Sequence, residues 1–224
     1  DEFGLDTPLR GIELAKEKPY IYLAQIKAVA HAAKRAKFDG KIEIMVPLVK
    51  TAEDLAEAKR IIDQVNRTHK LNIGLRSMIE TVEACENIAE IAPLCSGISF
   101  GTNDLTEQVI GVKRGHAASC HDWCAANQHR GKSPFHKFCK PVEELVQKTV
   151  AAALAANPSL DISICGNQAT DLDTVASCHQ MGVDSISVPA GAINMGILAS
   201  GHAQAKFPRE AKIMPETLPQ KSRL

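Results

Sequence analysis

Short apolar runs alternate with longer helix-spaced segments along almost the whole chain, and this alternation limits the fold more than any other feature. Tyr20 to Phe38 is a helix-spaced segment, with apolar side chains at Ile21, Leu23, Ile26, Val29, Ala30 and Ala33. Lys41 to Pro47 is a β-branched run closed by proline and predicts a strand. Thr51-Ala52-Glu53-Asp54 then places a threonine cap three residues before an acid, opening a helix expected to reach about His69. Asn72 to Ile79 predicts the next strand, Val82 to Ala92 a helix, and Gly97 to Phe100 a third strand running into Gly101-Thr102-Asn103-Asp104. A long polar stretch, Lys113 to Lys140, precedes a helix over Val142 to Ala156 that Asn157-Pro158 must stop. Strand Asp161 to Cys165, helix Leu172 to Met181, strand Ser185 to Val188 and a last helix Ala192 to Gln204 complete the series. The tail after Phe207 carries three prolines and reads as irregular.

Five strands, each followed by a helix, predict an α/β protein with a parallel sheet. Right-handed crossovers bring all the C-terminal strand ends to one face, where chemistry gathers in this class. Those positions hold Pro47, Glu80, Asn103, Asp104 and the run Cys165-Gly166-Asn167-Gln168. Glu80 and Asp104 offer two hard oxygen ligands, which with waters and a substrate's own oxygens suit Mg²⁺. The competing reading makes each acid a cap for the helix that follows. Cys165 is an acid or nucleophile at a strand tip, or a small buried residue. Arg114 either holds an anionic substrate or is a solvated surface arginine. Neither a GxGxxG nor a GxxxxGK[ST] string is present, so no nucleotide cradle is legible.

Charge and cysteine content narrow the partners. Twenty-six basic residues balance 26 acidic ones, which argues against nucleic acid or an anionic membrane as the main partner. Apolar runs such as Thr149 to Ala156 fall well short of the roughly 20 residues a membrane helix requires. The opening segment lacks a basic stretch followed by an apolar one, so no secretory signal is expected. Seven scattered cysteines fit free thiols in a reducing, cytoplasmic setting better than a disulfide framework. Cys120, His121, Cys124, His129, His136 and Cys139 crowd together, but their spacings match no common zinc pattern, and a solvated loop is the preferred reading.

The strand-end strings as a set carry a resemblance. Ser99-Phe100-Gly101-Thr102-Asn103-Asp104-Leu105-Thr106, preceded by Met78-Ile79-Glu80 and followed by Ile164-Cys165-Gly166, resembles the phosphoenolpyruvate/pyruvate-binding barrel of PEP-utilising enzymes. Leu9-Arg10-Gly11, Ile44 to Pro47, Ser133-Pro134-Phe135 and Ala156-Asn157-Pro158 match as well, in order from about residue 8 to residue 200. The family comprises pyruvate phosphate dikinase, phosphoenolpyruvate synthase and the phosphotransferase-system enzyme that draws phosphate from phosphoenolpyruvate. The first two are the nearer branch. The resemblance implies a TIM-type (β/α) barrel of which residues 1–206 supply only five of the eight units, strands four to eight, with 207–224 as a tail. It implies Mg²⁺ on Glu80 and Asp104, and substrate contacts from Arg10, Asn103 and Arg114, with Gly101 and Thr102 alongside. Cys165 becomes the group that exchanges a proton with the methylene carbon as enolpyruvate and pyruvate interconvert. Phosphohistidine and ATP-grasp domains would be supplied elsewhere, and a homodimer is expected.

Several positions depart from the pattern. Glu13 stands where a second arginine is usual, Asn167-Gln168 replaces a glutamate and its neighbour, and Glu107 replaces a common glutamine. The arginines that clamp the phosphoryl group belong to strands this chain does not match. Five strands cannot close a barrel, and an open parallel sheet exposes two edges. The chain is therefore expected to be part of a longer protein, a subunit that completes its sheet on a partner, or a member that kept the scaffold and lost phosphoryl transfer. Two functions compete with the phosphotransferase reading. One is a non-catalytic interaction scaffold; the other is a Mg²⁺-dependent lyase or aldolase acting on 2-oxo acids.

Overall fold

A computed structural model describes residues 10–209 of the chain. Leu9 of the first matching string and residues 210–224 of the tail lie outside the described residues. The elements follow in order: α1 (Gly11–Glu17), α2 (Pro19–Arg35), β1 (Ile42–Val46), α3 (Ala52–His69), β2 (Ile73–Ile79), α4 (Val82–Glu86) and α5 (Ile88–Ile91). After these come β3 (Gly97–Gly101), α6 (Thr102–Ile110), α7 (Ala117–Ala126), α8 (Lys140–Ala156), β4 (Asp161–Cys165), α9 (Leu172–Met181), β5 (Ser185–Ile186) and α10 (Ile193–Lys206). The strands form one parallel sheet in the order β1-β2-β3-β4-β5. With every neighbour consecutive in sequence, right-handed crossovers stack the helices on a single face.

The two faces of the sheet differ in chemistry because side chains alternate along each strand. One face carries Val46, Ile73, Leu75, Ile79, Ile98, Phe100, Ile162 and Ile164, all buried in the main core. Against it pack Ile26 and Ala30 of α2, Leu55, Ala58, Ile61, Ile62 and Val65 of α3, and Val142, Val146 and Val150 of α8. The expected capping box fixes the start of α3. The Thr51 hydroxyl accepts the Asp54 N–H at 3.4 Å, and the Asp54 carboxylate accepts the Thr51 N–H at 3.1 Å. A smaller cluster of Val175, Ala176, Ala199 and Ala203 joins α9 to α10. No helix among the described residues is long and apolar enough to cross a membrane.

The opposite face is polar and centred on Arg76. Its guanidinium pairs with Asp161 from β4 and lies 3.4 Å from Glu43 of β1, while donating to the Ile98 carbonyl at 3.0 Å and to Ser163 Oγ at 3.3 Å. One side chain thus ties four neighbouring strands at a fixed register. Gly97 gives it room: a Cβ there would lie 2.6 Å from the Arg76 Cζ and 2.7 Å from the Asp161 carbonyl oxygen.

Three helices absent from the sequence expectation each lack a strong signal. In α6 the first turn is Thr-Asn-Asp, residues that locally favour turns over helix. Helix α7 buries none of its residues and so carries no apolar stripe to read. Helix α1 is a short segment whose interior side chains are Ile12 and Ala15. The expected helix over 82–92 breaks at Asn87, whose side chain donates to the Lys50 carbonyl at 3.1 Å. Strand β5 is shorter than expected, ending two residues before Val188.

Removing the cation from the polar face tests this tie. Arg76→Ala leaves Asp161 without its cation and Glu43 with Lys41 and Ser96 alone, and is expected to cost about 3 kcal/mol. Gly97→Ala, which pushes the same guanidinium aside, should also lower the midpoint of urea unfolding. An Arg76→Ala midpoint equal to wild type would refute the tie.

Candidate active site

Glu80 follows the last residue of β2 and continues the polar face of the sheet, yet it is only 6% exposed. Its Oε1 accepts the Leu48 backbone N–H at 2.8 Å. Leu48 supplies that N–H from a left-handed backbone, φ 58°, a conformation costly for a side-chain-bearing residue and held only where the surroundings enforce it. The enforcement comes from α1. Gly11, also left-handed at φ 56°, lies so close that a Cβ on it would be 2.8 Å from the Pro47 carbonyl oxygen. The Ile12 N–H donates to that same oxygen at 3.1 Å. On its other side Glu80 meets Gly101, where a Cβ would be 2.6 Å from Oε2. Helix α4 is capped by Thr81, whose hydroxyl accepts the Ala84 N–H at 3.0 Å, so Glu80 is not spent as a helix cap.

The end of β4 is stitched to the start of α6. The buried Thr102 hydroxyl donates to the Cys165 carbonyl at 2.9 Å, and Asn103 Oδ1 accepts the Asn167 N–H at 3.3 Å. Gly166 turns the chain at φ 104°, with room for no Cβ: one would sit 2.5 Å from Thr102 Oγ1. The Cys165 thiol donates to the Phe100 carbonyl at 3.4 Å. Asp104 lies in the first turn of α6, where the helix N-terminus favours its negative charge. One turn on, the fully buried Gln168 amide donates to Thr106 Oγ1 at 3.0 Å and to the Pro134 carbonyl. It thereby latches the Ser133-Pro134-Phe135 segment beside the strand ends.

Electrostatics join these groups into one site. Burial pushes the Glu80 carboxyl above its usual range; the Leu48 N–H opposes this, the nearby Asp104 charge adds to it, and Arg10 draws it back. Burial likewise raises the Cys165 thiol, partly offset by Ser99 and reinforced by Glu80 and Asp104. The thiol therefore keeps its proton at neutral pH and is poor as a thiolate nucleophile. Among the described residues no three His, Cys, Asp or Glu side chains form a ready metal cage. Two carboxylates with little positive charge beside them suit a cation that retains waters and takes further oxygens from a substrate.

The structure brings Glu80, Asp104, Cys165, Asn103, Thr102, Gly101 and Arg10 together around the strand ends. Arg114 is exposed on the loop after α6, its backbone N–H donating to the Glu107 carboxylate at 3.0 Å. Sequence reasoning missed Leu48, because its contribution is a backbone N–H that any residue type carries. It also missed Ser99, which reads as one of several small strand residues.

Residues 8–199 match the family described as "PEP-utilising enzyme, PEP-binding domain". The chain belongs to this family. It is similar to pyruvate, phosphate dikinase of Clostridium symbiosum, 30% identical over 90% of this chain and 24% of that protein. Pyruvate, phosphate dikinase 2 of Oryza sativa is 32% identical over 80% of this chain and 21% of its own length, and the Rickettsia bellii protein 28% over 88% and 24%. The chain thus spans about a quarter of these curated relatives. Among solved structures, a citrate lyase from Burkholderia xenovorans superposes with a TM-score of 0.54 at 20% identity, covering 79% of this chain and 53% of that one, a likeness of fold alone. The PEP-binding domain match includes every strand-end residue named above.

A raised folded-state pKa means that ionising Glu80 opposes folding. Stability should fall as pH rises from the usual carboxylate value through the raised one, and recover below it. In Glu80→Gln the side-chain oxygen can still accept from Leu48, so the variant without divalent cation should melt higher than wild type at neutral pH, and the two should converge in acid. Thermal melts across pH measure this; a lower neutral Tm for Glu80→Gln would contradict the assignment.

Proposed function

We propose that this PEP-binding domain binds phosphoenolpyruvate and pyruvate with Mg²⁺ as part of a phosphotransferase of the pyruvate phosphate dikinase type. The observation carrying the proposal is the buried Glu80, sharing its strand-end neighbourhood with Asp104 and with a thiol that keeps its proton. Glu80 and Asp104 would hold the cation, which when bound offsets negative charge developing on the substrate's enol oxygen. Asn103 spends its Oδ1 on the Asn167 N–H, leaving its amide N–H groups for a substrate oxygen. Gly101, lacking a side chain, keeps the space beside Glu80 open. Arg10, exposed at the start of α1 with its charge felt at Glu80, would meet the substrate's anionic end, and Arg114 would reach it from the loop after α6.

Cys165 then acts as the acid. Its proton passes to the methylene carbon when enolpyruvate becomes pyruvate, and returns in reverse. The raised pKa suits this work, since an acid must hold its proton at the working pH. Phosphoryl transfer itself is assigned to the whole assembly, through a phosphohistidine and an ATP-grasp domain supplied elsewhere. Sequential strand order with helices on one side fits five of the eight units of a (β/α) barrel, in a cytoplasmic, dimeric enzyme.

Oxalate, which mimics the enolate, should raise the melting temperature of this chain only with Mg²⁺ present. At a hundred times its Kd the gain is about 2.7 kcal/mol. Glu80→Gln and Asp104→Asn should abolish the shift, and a shift that survives both would remove the metal assignment. Separately, the methyl protons of pyruvate should exchange with D₂O in the presence of chain and Mg²⁺, and Cys165→Ser should stop the exchange while keeping the oxalate shift. Undiminished exchange in that variant would assign the proton elsewhere.

A further inference from the structure

Three of the seven cysteines are reachable by solvent, and only one of those, Cys165, belongs to the strand-end site. The buried thiols are inert by burial, which pushes Cys85 up to about 11 and Cys95 up to about 12. Cys120 and Cys124 differ. They stand four residues apart on α7, so they share one helix face. Both open onto a surface groove of about 580 Å³ that is also lined by His121, His129 and Arg130. Cys120 Sγ is hydrogen-bonded to the Ser133 hydroxyl at 3.4 Å. Cys120 is thus a partly exposed sulfur, bonded to a hydroxyl, in a groove open to a small disulfide reagent.

We propose that Cys120 and Cys124 form a redox modification site that a low-molecular-weight disulfide oxidises to an intramolecular bridge, opening helix α7. The Cys120 thiolate attacks one sulfur of the reagent, breaking its S–S bond and releasing one thiol. Cys124 gives up its proton and attacks the Cys120 sulfur of the mixed disulfide, releasing the second thiol. Two electrons pass from the protein pair to the reagent. Burial raises the Cys124 thiol, so it takes the second, intramolecular role.

Helix opening follows from geometry. Positions four apart on a helix hold their Cβ atoms about 5–6 Å apart. A disulfide requires about 3.5–4.5 Å. The bridge closes only if that turn unwinds, and α7 offers little resistance: none of its ten residues is buried and its N-terminus has no side-chain cap. Unwinding at Cys120 also removes its contact with Ser133, whose hydroxyl accepts the Phe135 N–H at 3.3 Å in the segment latched to Gln168. This inference does not depend on the substrate reading above.

The full chain treated with oxidised glutathione should lose the mass of two hydrogens, and peptide mapping should place the bridge at Cys120–Cys124. Far-UV circular dichroism should fall by part of the α7 signal and recover with dithiothreitol. Cys120→Ser and Cys124→Ser, both on a helix without buried residues, should fold as wild type and form no bridge. A lasting glutathione adduct, a bridge to Cys139, no reaction, or a bridge that leaves helicity unchanged would each overturn the proposal.

Discussion

A carboxylate held out of water beside a second acid is the constraint around which this domain is arranged. Glu80 cannot rest there passively, because burial and the Asp104 charge both disfavour its ionised form. The chain accepts a left-handed Leu48 and a left-handed Gly11, locked to each other, to give that carboxylate one fixed donor. It also keeps two strand-end positions bare, at Gly101 and Gly166, where a methyl group would strike Glu80 or Thr102. The other left-handed non-glycine residues among those described, Lys37, Lys70 and Gln128, follow helix ends, so Leu48 is the one such position that serves the strand-end site.

Much of this was legible in the residues. The alternation of runs predicted a parallel α/β sheet because buried parallel strands and amphipathic helices leave different periods, and the five strands fall where those periods placed them. Thr51 and Asp54 announced the start of α3, and Asn157 the end of α8. The strand-end polar residues stood out because a parallel sheet with short loops has few other reasons to put Glu80, Asn103, Asp104 and Cys165 there. What stayed hidden had no side-chain signature. Helix α7 lacks an apolar stripe, α6 begins with turn formers, and the Leu48 contribution belongs to the backbone.

The polar face has its own logic beneath the site. Arg76 gathers Glu43, Asp161 and Ser163 from strands on either side, so this face is ordered by charge while the opposite one is ordered by packing. A cluster with paired charges is intolerant of sliding: shifting one strand by a residue would turn its partner to the wrong face. The same register that satisfies Arg76 carries Glu80 and Cys165 to one level at the sheet's upper rim.

Consecutive strand pairing also governs how the polypeptide acquires its shape. Most sheet contacts join segments a few tens of residues apart, so they can zip up progressively, as low contact order permits. The exception is Gly97 with Asp161, which must close over the long insertion bearing α7. Tripling a closure of this kind costs roughly 1 kcal/mol of chain entropy. The joint between the third and fourth strands is therefore the entropically costliest closure in the sheet, and shortening that excursion is the change that would lower its cost.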